Sequence, residues 1–482
     1  MRIPAFITIV AALLAAGCTG SDHLAGPGDG PGRMSFQMSL APAHTAGIVV
    51  TRVAAKLTHL ADGAIVSLDL TIAPDSLSAA GTADGLIPGE WRVEVNLYDA
   101  APTLIASGSD TITVVSGEVT EASIVVAFTG GAHISVSWAP SPSTGWDAFG
   151  QGDGVNGAVL AIGDYNGDLI VGGDFEEAGG IAANSIARWD GTAWHALGSG
   201  LDGRVFRLID YQGQLIAAGD FHHAGDVSAV GVAAWDGGAW HALGSGLAGD
   251  GYQGPWGNSL AVYGGKLIVG GAFNQAGGIA ANYIAAWDGT AWSTLGSGMS
   301  GVSNPHTIAL ALYNGKLIAG GWFIYAGGVY VNRIASWNGS SWSPLGAGMT
   351  SVVLWLAVDG PTLYAVGDFT SPGSYAAMWN GSSWAPMGAG FNGNSWAAEM
   401  YHGMLYAGLT GTASGVTPLN HIGAWTGSAW ADVGGGVTGG SGGTGGNVDA
   451  LHVFGDALYA GGDFTRAGGI PVHNIARWRT TP

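Results

Sequence analysis

The residues able to do chemistry in this chain of 482 recur rather than cluster. An aspartate closes an apolar, glycine-bearing run four times, at Asp174, Asp220, Asp368 and Asp463, while Ala272, Trp322 and Thr410 fill the equivalent places elsewhere. Such a residue can cap its own loop by accepting backbone N–H groups. The four together can instead form a broken acidic ring that draws cations. Aromatic side chains fall nearby in sequence: Tyr252 and Trp256, Trp322 and Tyr325, and Trp396, with His306 and the pair His222-His223 in neighbouring segments. Aromatic faces beside Asn and Asp can stack on sugar rings or grip a peptide; the same residues can also do no more than pack their loops. No two histidines show metal-ligand spacing with a carboxylate partner. Asp164-Tyr165-Asn166-Gly167-Asp168 offers oxygen ligands, but its equivalents Tyr263-Gly264-Gly265-Lys266 and Tyr313-Asn314-Gly315-Lys316 lack the acids, so a hairpin turn explains it better. No metal site and no cofactor is expected. No Ser-His-Asp, paired-carboxylate or phosphate-loop signature stands out, so no catalytic residue is assigned.

The elements that must carry these residues are set by an internal repeat. One unit reads Leu267-Ile268-Val269-Gly270-Gly271, then Ala276-Gly277-Gly278, then Ile284 to Trp287, Asp288-Gly289-Thr290-Ala291-Trp292, and Leu295-Gly296-Ser297-Gly298. A Trp precedes the turn at Trp189, Trp235, Trp287, Trp337, Trp379, Trp425 and Trp478. A second Trp follows it at Trp194, Trp240, Trp292, Trp342, Trp384 and Trp430, but none follows Trp478. The missing piece stands at the start, where Trp146-Asp147-Ala148-Phe149-Gly150-Gln151-Gly152 matches Trp194 to Gly200. Each unit predicts four strands: one like Ile308–Tyr313, an Asn-Gly hairpin turn, a second from Lys316, a third ending at the first Trp, and a fourth after the turn. Pairing the Trp146 strand with the last unit would close the array and remove its open edges. The expected fold is therefore all-β, with a seven-bladed β-propeller over 146–482 closed by an N-terminal strand. Strands alternate in direction, so the loops after the second and fourth strands share one face. That face is the variable one, and the candidate residues fall on it.

The unit resembles the kelch motif, as in the central domain of galactose oxidase: a strand, Gly-Gly, an aromatic residue in the third strand, and Trp a few residues later. Trp stands here where the kelch Tyr is usual. The copper and radical chemistry of galactose oxidase needs a Tyr–Cys cross-link, and the only cysteine in this chain is Cys18, far outside the repeat. That chemistry is not implied.

Residues 34–138 alternate in the strand manner, with Trp91, Val93, Val95 and Leu97 on one face. Further runs lie at Val49 to Leu57, Ile65 to Ile72, Leu104 to Gly108, Asp110 to Val115 and Ala122 to Ala127. They predict an antiparallel sandwich. Leu86 to Trp91 resembles bacterial immunoglobulin-like or prealbumin-like modules, which implies a spacer or adhesive role. Residues 139–145 are a linker. At the start, Met1-Arg2 and the apolar run Ile3 to Ala16 form a signal peptide, too short to span a bilayer comfortably. Leu13-Leu14-Ala15-Ala16-Gly17-Cys18 resembles a bacterial lipobox, which implies cleavage after residue 17 and lipidation of Cys18. Several acyl chains would anchor the protein firmly. Thr19 follows Cys18, and the absence of Asp there implies the outer membrane. Residues 18–33, rich in Gly and Pro, read as a tether.

The formal net charge is −20, from 14 Lys+Arg against 34 Asp+Glu. Nucleic-acid binding needs clustered cations and is excluded. Three functions stay open: a cell-envelope protein binding or scaffolding a protein or glycan through the variable face, a glycan-active enzyme at the channel mouth, and a structural surface protein.

Overall fold

The computed structural model describes residues 11–14, 32–39, 50–72, 78–86, 89–99, 104–115, 118–119, 123–128, 133–137, 145–148, 154–249, 254–440 and 446–480. The chain is all-β: strands and turns account for these residues, and no helix among them is long and apolar enough to cross a membrane. It divides into two compact units, the second spanning Thr144–Thr480. Cys18, Tyr252 and the stretch Phe149 to Gly152 lie outside the described residues.

The second unit contains seven four-stranded antiparallel sheets among its described residues. Their first strands are Ala158–Tyr165, Val205–Tyr211, Trp256–Tyr263, His306–Tyr313, Val353–Asp359, Ser395–Tyr401 and Asn447–Phe454. In six sheets the four strands are consecutive in the repeat unit. In the seventh, Asn447–Phe454, Ala457–Asp463 and Ile475–Arg479 are completed by Gly145–Ala148. The register sets Trp146 opposite Trp478 and Asp147 opposite Arg477, the same Trp–Trp pairing as Trp287 opposite Trp292. Each first strand packs beside that of the next sheet, and the last packs beside the first.

Three sets of contacts join the sheets. In the first, the indole N–H of the fourth-strand Trp donates to a carbonyl of the preceding unit: Trp240 to Leu197 at 2.9 Å, Trp292 to Leu243 at 2.8 Å, Trp342 to Leu295 at 2.9 Å. Trp146 does the same to Val433 at 2.7 Å. In the second, the tyrosine ending a first strand donates to the next sheet's turn, as Tyr165 does to Gly213 and Tyr313 to Pro361. The third set is steric. A Cβ on the second-strand glycine of one sheet would collide with a β-branched side chain of the next: Gly172 with Val205, Gly270 with Thr307, Gly320 with Val353, Gly408 with Val448 and Gly461 with Val159. Where the second strand carries Ala218 instead, the residue facing it is Gly257. Each junction so matched is filled to close packing by one large and one small partner.

Two features were not expected. The loop after most second strands folds into a two-residue hairpin, such as Gln275–Ala276 with Ile279–Ala280. Gly277 at its tip has φ +59, and a Cβ there would lie 2.3 Å from Trp292 Cδ1, so glycine answers both demands. The second feature concerns the N-terminal unit. Among its described residues ten strands are joined in one antiparallel run of hydrogen bonds, whose two parts meet only where Thr71 and Ile72 pair with Ala80 and Ala79. Gly108 and Asp110 look like breakers, yet Leu104–Val115 is a single strand of 12 residues paired along Gly89–Tyr98. Ala11–Leu14, in the segment read as signal peptide, pairs with Ser35–Met38. Trp91, Val93, Val95 and Leu97 are buried, as their alternation requires.

Candidate functional site

A bulge near the start of each first strand and a buried phenylalanine just after most second strands decide what reaches the loop face. Phe175, Phe221, Phe273, Phe323, Phe369 and Phe464 are each at most 4% exposed. Each plugs its loop into the core, and strand alternation then turns the preceding residue outward. That preceding residue is Asp174, Asp220, Ala272, Trp322, Asp368 or Asp463. The Phe recurs in the sequence but carries no chemistry, so nothing there marks it as part of a site.

The aspartates do not act alike. Asp220 accepts the Arg204 backbone N–H at 2.6 Å and takes its guanidinium on the other oxygen, at 2.8 and 2.6 Å. Asp174 and Asp368 are exposed. Asp463 is half-buried opposite Asn447. Loop capping falls to other residues of varied type, one in each of four units. Asn156 Oδ1 accepts from Glu176 and Glu177, Asp202 from His222 and His223, Asn392 from Thr412 and Ala413, and Thr350 Oγ1 from Thr370 and Ser371. The His222-His223 pair thus belongs to a capped loop, with the His223 ring on Asp202 at 2.8 Å.

The aromatic candidates separate into two groups. Trp256 pairs with Ala272 and His306 with Trp322, at the same end of adjacent sheets. Trp256 meets Phe206 of the preceding sheet edge-on at 6.2 Å, and Arg204 lies over Phe206 at 5.2 Å. The Arg333 guanidinium covers Trp322 at 3.9 Å. Trp396, at the bulge of its strand, is 40% exposed. Tyr325 stands apart: it sits in a loop hairpin, edge-on to Tyr330 at 5.7 Å, and that hairpin packs on the fourth strand of its sheet.

Inside this end, residues from all seven first strands line a common cavity of about 230 Å³. Register orders its walls in layers. Arg207, Ser259 and Trp355 share the layer just past the bulges. Ile162, Leu208, Leu260, Leu310, Leu356 and Leu451 follow, one residue deeper. Glu399 and His452 come next, nearer the turn face. Burial pushes Glu399 up to about 7. His452 is lowered by burial, against its contact with Asp164 at 3.0 Å. Asp449, at the bulge on the loop side, is pushed up to about 7 by burial and by the charge of Asp463. The two raised carboxyls lie on opposite sides of the apolar layer, so they do not converge as an acid–base pair would. Asp164 and Asp168 flank a turn with Asn166 and Gly167 at positive φ, and Asp168 pairs with Arg188. Among the described residues no group of three or more His, Cys, Asp or Glu is placed to hold a metal ion.

The raised carboxyls carry a pH dependence. A carboxyl held at about 7 when folded and near 4 when unfolded binds its proton more tightly in the native state. Its contribution to stability is full below about pH 4 and is lost as the pH rises through 7. Asp449→Asn is therefore expected to gain stability over the parent at pH 8 relative to pH 5. The expected gain is at least about 1 kcal/mol, because each tenfold change in proton affinity is worth roughly 1.4 kcal/mol. Denaturant titrations at the two pH values measure this; an equal difference at both would refute it.

No family model matches the sequence, and no curated protein matches it. Solved structures do. One is the extracellular domain of a hybrid two component system from B. thetaiotaomicron, at 13% identity and a TM-score of 0.43, with 93% of this chain and 56% of that chain covered. Another is the extracellular domain of a one component system from the same organism, at 10% identity and a TM-score of 0.42, with 93% and 70% covered. The chain spans just over half the length of the first, and at these identities neither site residues nor activity carries across.

Proposed function

We propose that this chain is a lipid-anchored binding protein of the cell envelope, and that its second unit is a closed, kelch-like seven-bladed β-propeller holding a ligand on its loop face. The observation that carries the binding reading is the contrast between the two ends of the sheets. One end is built of short, similar turns. The other carries Trp256, His306, Trp322 and Trp396 with Arg204, Arg333 and the outward Asp174 at the loop-side ends of the sheets. Flat aromatic faces edged by hydrogen-bonding groups suit a glycan, whose rings stack while its hydroxyls bond. Closure is supported by the last sheet borrowing Gly145–Ala148 and by Gly461 meeting Val159. The anchor is supported by the sequence around Cys18 alone.

Glycan arrays probed with the purified full chain test the binding face. Trp256→Ala combined with Trp396→Ala is expected to lower binding at least about tenfold, the equivalent of roughly 1.4 kcal/mol. Asn166→Ala, on the turn face, is expected to leave it intact. Unaltered binding by the double variant would sink the proposed face. For the anchor, cells fed labelled palmitate are expected to label the parent chain and not Cys18→Ser, which should move from the membrane to the soluble fraction. An unlabelled parent chain overturns that part.

A further inference from the structure

We propose that the cavity shared by the seven first strands is a second ligand site, selective for a small organic monocarboxylate, with Arg207 receiving the carboxylate. This inference rests on the cavity and not on the loop-face reading above.

Arg207 projects into a space of about 230 Å³ to which every first strand contributes. Its guanidinium donates to the backbone carbonyl of Phe206 and lies 4.2 Å from the ring of Trp355, which belongs to a sheet three places further on. An arginine has five N–H donors in a planar fork. One backbone carbonyl and one aromatic face leave most of that fork unanswered. Four other arginines of this unit show what is missing, whereas Arg333 lies over Trp322 and Arg466 donates to the Gly469 carbonyl. The guanidinium of Arg204, three residues earlier, is held by one oxygen of Asp220, that of Arg188 by Asp168, and those of Arg477 and Arg479 by Asp147. No carboxylate is placed on Arg207 among the described residues. Asp449 stands at the bulge of a strand two sheets away from Arg207, and Glu399 and the Asp164 that His452 engages lie beyond the leucine layer. Two residues of strand separate the two levels, roughly 7 Å. Burial also lowers Arg207 to about 10, the sign of a cation without a counter-charge.

Arg207 is partly exposed beside an aliphatic layer of the chamber, and a cation partly withdrawn from water is costly unless an anion meets it. The walls decide which anion. Leu208, Leu260, Leu310, Leu356 and Ile162 offer nothing to a second or third charged oxygen. They favour an apolar body, and among the described residues Arg207 is the one arginine or lysine lining the space. A monocarboxylate with a short hydrocarbon chain satisfies both, whereas phosphate or sulfate leaves oxygens unpaired. The volume lies below the range typical of drug-sized ligands, about 300–1,000 Å³.

Isothermal titration of the full chain with butyrate, butyramide and inorganic phosphate at constant ionic strength tests the proposal. Butyrate is expected to bind at one site, with butyramide and phosphate at least tenfold weaker. Arg207→Met is expected to weaken butyrate at least tenfold. Leu310→Phe, which narrows the chamber and keeps the arginine, is expected to weaken it as well, so the proposal stays testable if the arginine variant does not fold. Absence of butyrate binding at millimolar concentration overturns the site. Equal binding of phosphate overturns the ligand class, and unchanged binding by a folded Arg207→Met overturns the role of the arginine.

Discussion

Replacing Trp146 with alanine is expected to lower the stability of the second unit by about 3–5 kcal/mol, the range for truncating a large buried aromatic side chain. Trp146 is 7% exposed, its indole N–H reaches the Val433 carbonyl at 2.7 Å, and its ring lies 5.4 Å from that of Trp478. Gly434 and Gly468 are shaped to it, since a Cβ on either would run into Trp146 or Trp478. The rest of the short strand also points to a fixed partner. Asp147 stands 2.9 Å from Arg479 and 3.5 Å from Arg477. Trp292→Ala is the control, because it removes an equivalent side chain from an internal sheet. If the Gly145–Ala148 strand closes a ring, Trp146→Ala carries a further consequence that the control lacks. Loosening the strand uncovers the edge of Ile475–Arg479, and an open edge recruits other chains. Size-exclusion profiles are expected to show concentration-dependent association for Trp146→Ala alone. A change in unfolding free energy near zero would mean that this strand does not belong to the last sheet.

That strand was legible because tryptophans can be counted, and a shortfall at one end matched a surplus at the other. The candidate positions at strand ends were legible for a related reason: a repeat maps each residue onto its equivalents. What stayed hidden depends on partners that the repeat does not name. Asn156, Asp202, Thr350 and Asn392 perform one capping task with different residue types, so no pattern announced it. Arg207 and Trp355 break the small-residue pattern of their layer in two distant units, and only adjacency around the cavity brings them together. The expected break between the runs Leu104 to Gly108 and Asp110 to Val115 is absent, and Gly108 and Asp110 lie within the single strand Leu104–Val115. Paired to Val95 and Val93, they have their backbone groups satisfied, which outweighs poor strand propensity.

Gly461→Ala is expected to destabilise the second unit by about 1–3 kcal/mol, and Val159→Gly is expected to relieve much of that cost. Gly461 sits in the last sheet and Val159 in the first. A Cβ on Gly461 would lie 2.2 Å from Val159 Cγ1 and 2.8 Å from its Cβ, closer than two methyl carbons tolerate. Both surroundings are tightly packed, with Val159 fully buried, so the new methyl has no free volume to enter. The backbone of Gly461 is not in the left-handed region, which leaves the contact, not the chain conformation, as the obstacle. The double variant rebuilds a pairing the protein already uses, Ala218 facing Gly257. Val159→Gly alone is itself destabilising, through a lost apolar side chain and added chain entropy. A favourable coupling of about 0.5–3 kcal/mol between the two substitutions is therefore the quantity to read from a double-mutant cycle. Coupling of that size requires the first and last sheets to touch. If the costs simply add, the two residues are not neighbours and the array is open. The same cycle at Gly320 and Val353, an internal junction with a 2.6 Å collision, fixes the scale, since those sheets are consecutive in the chain whether or not the ring closes.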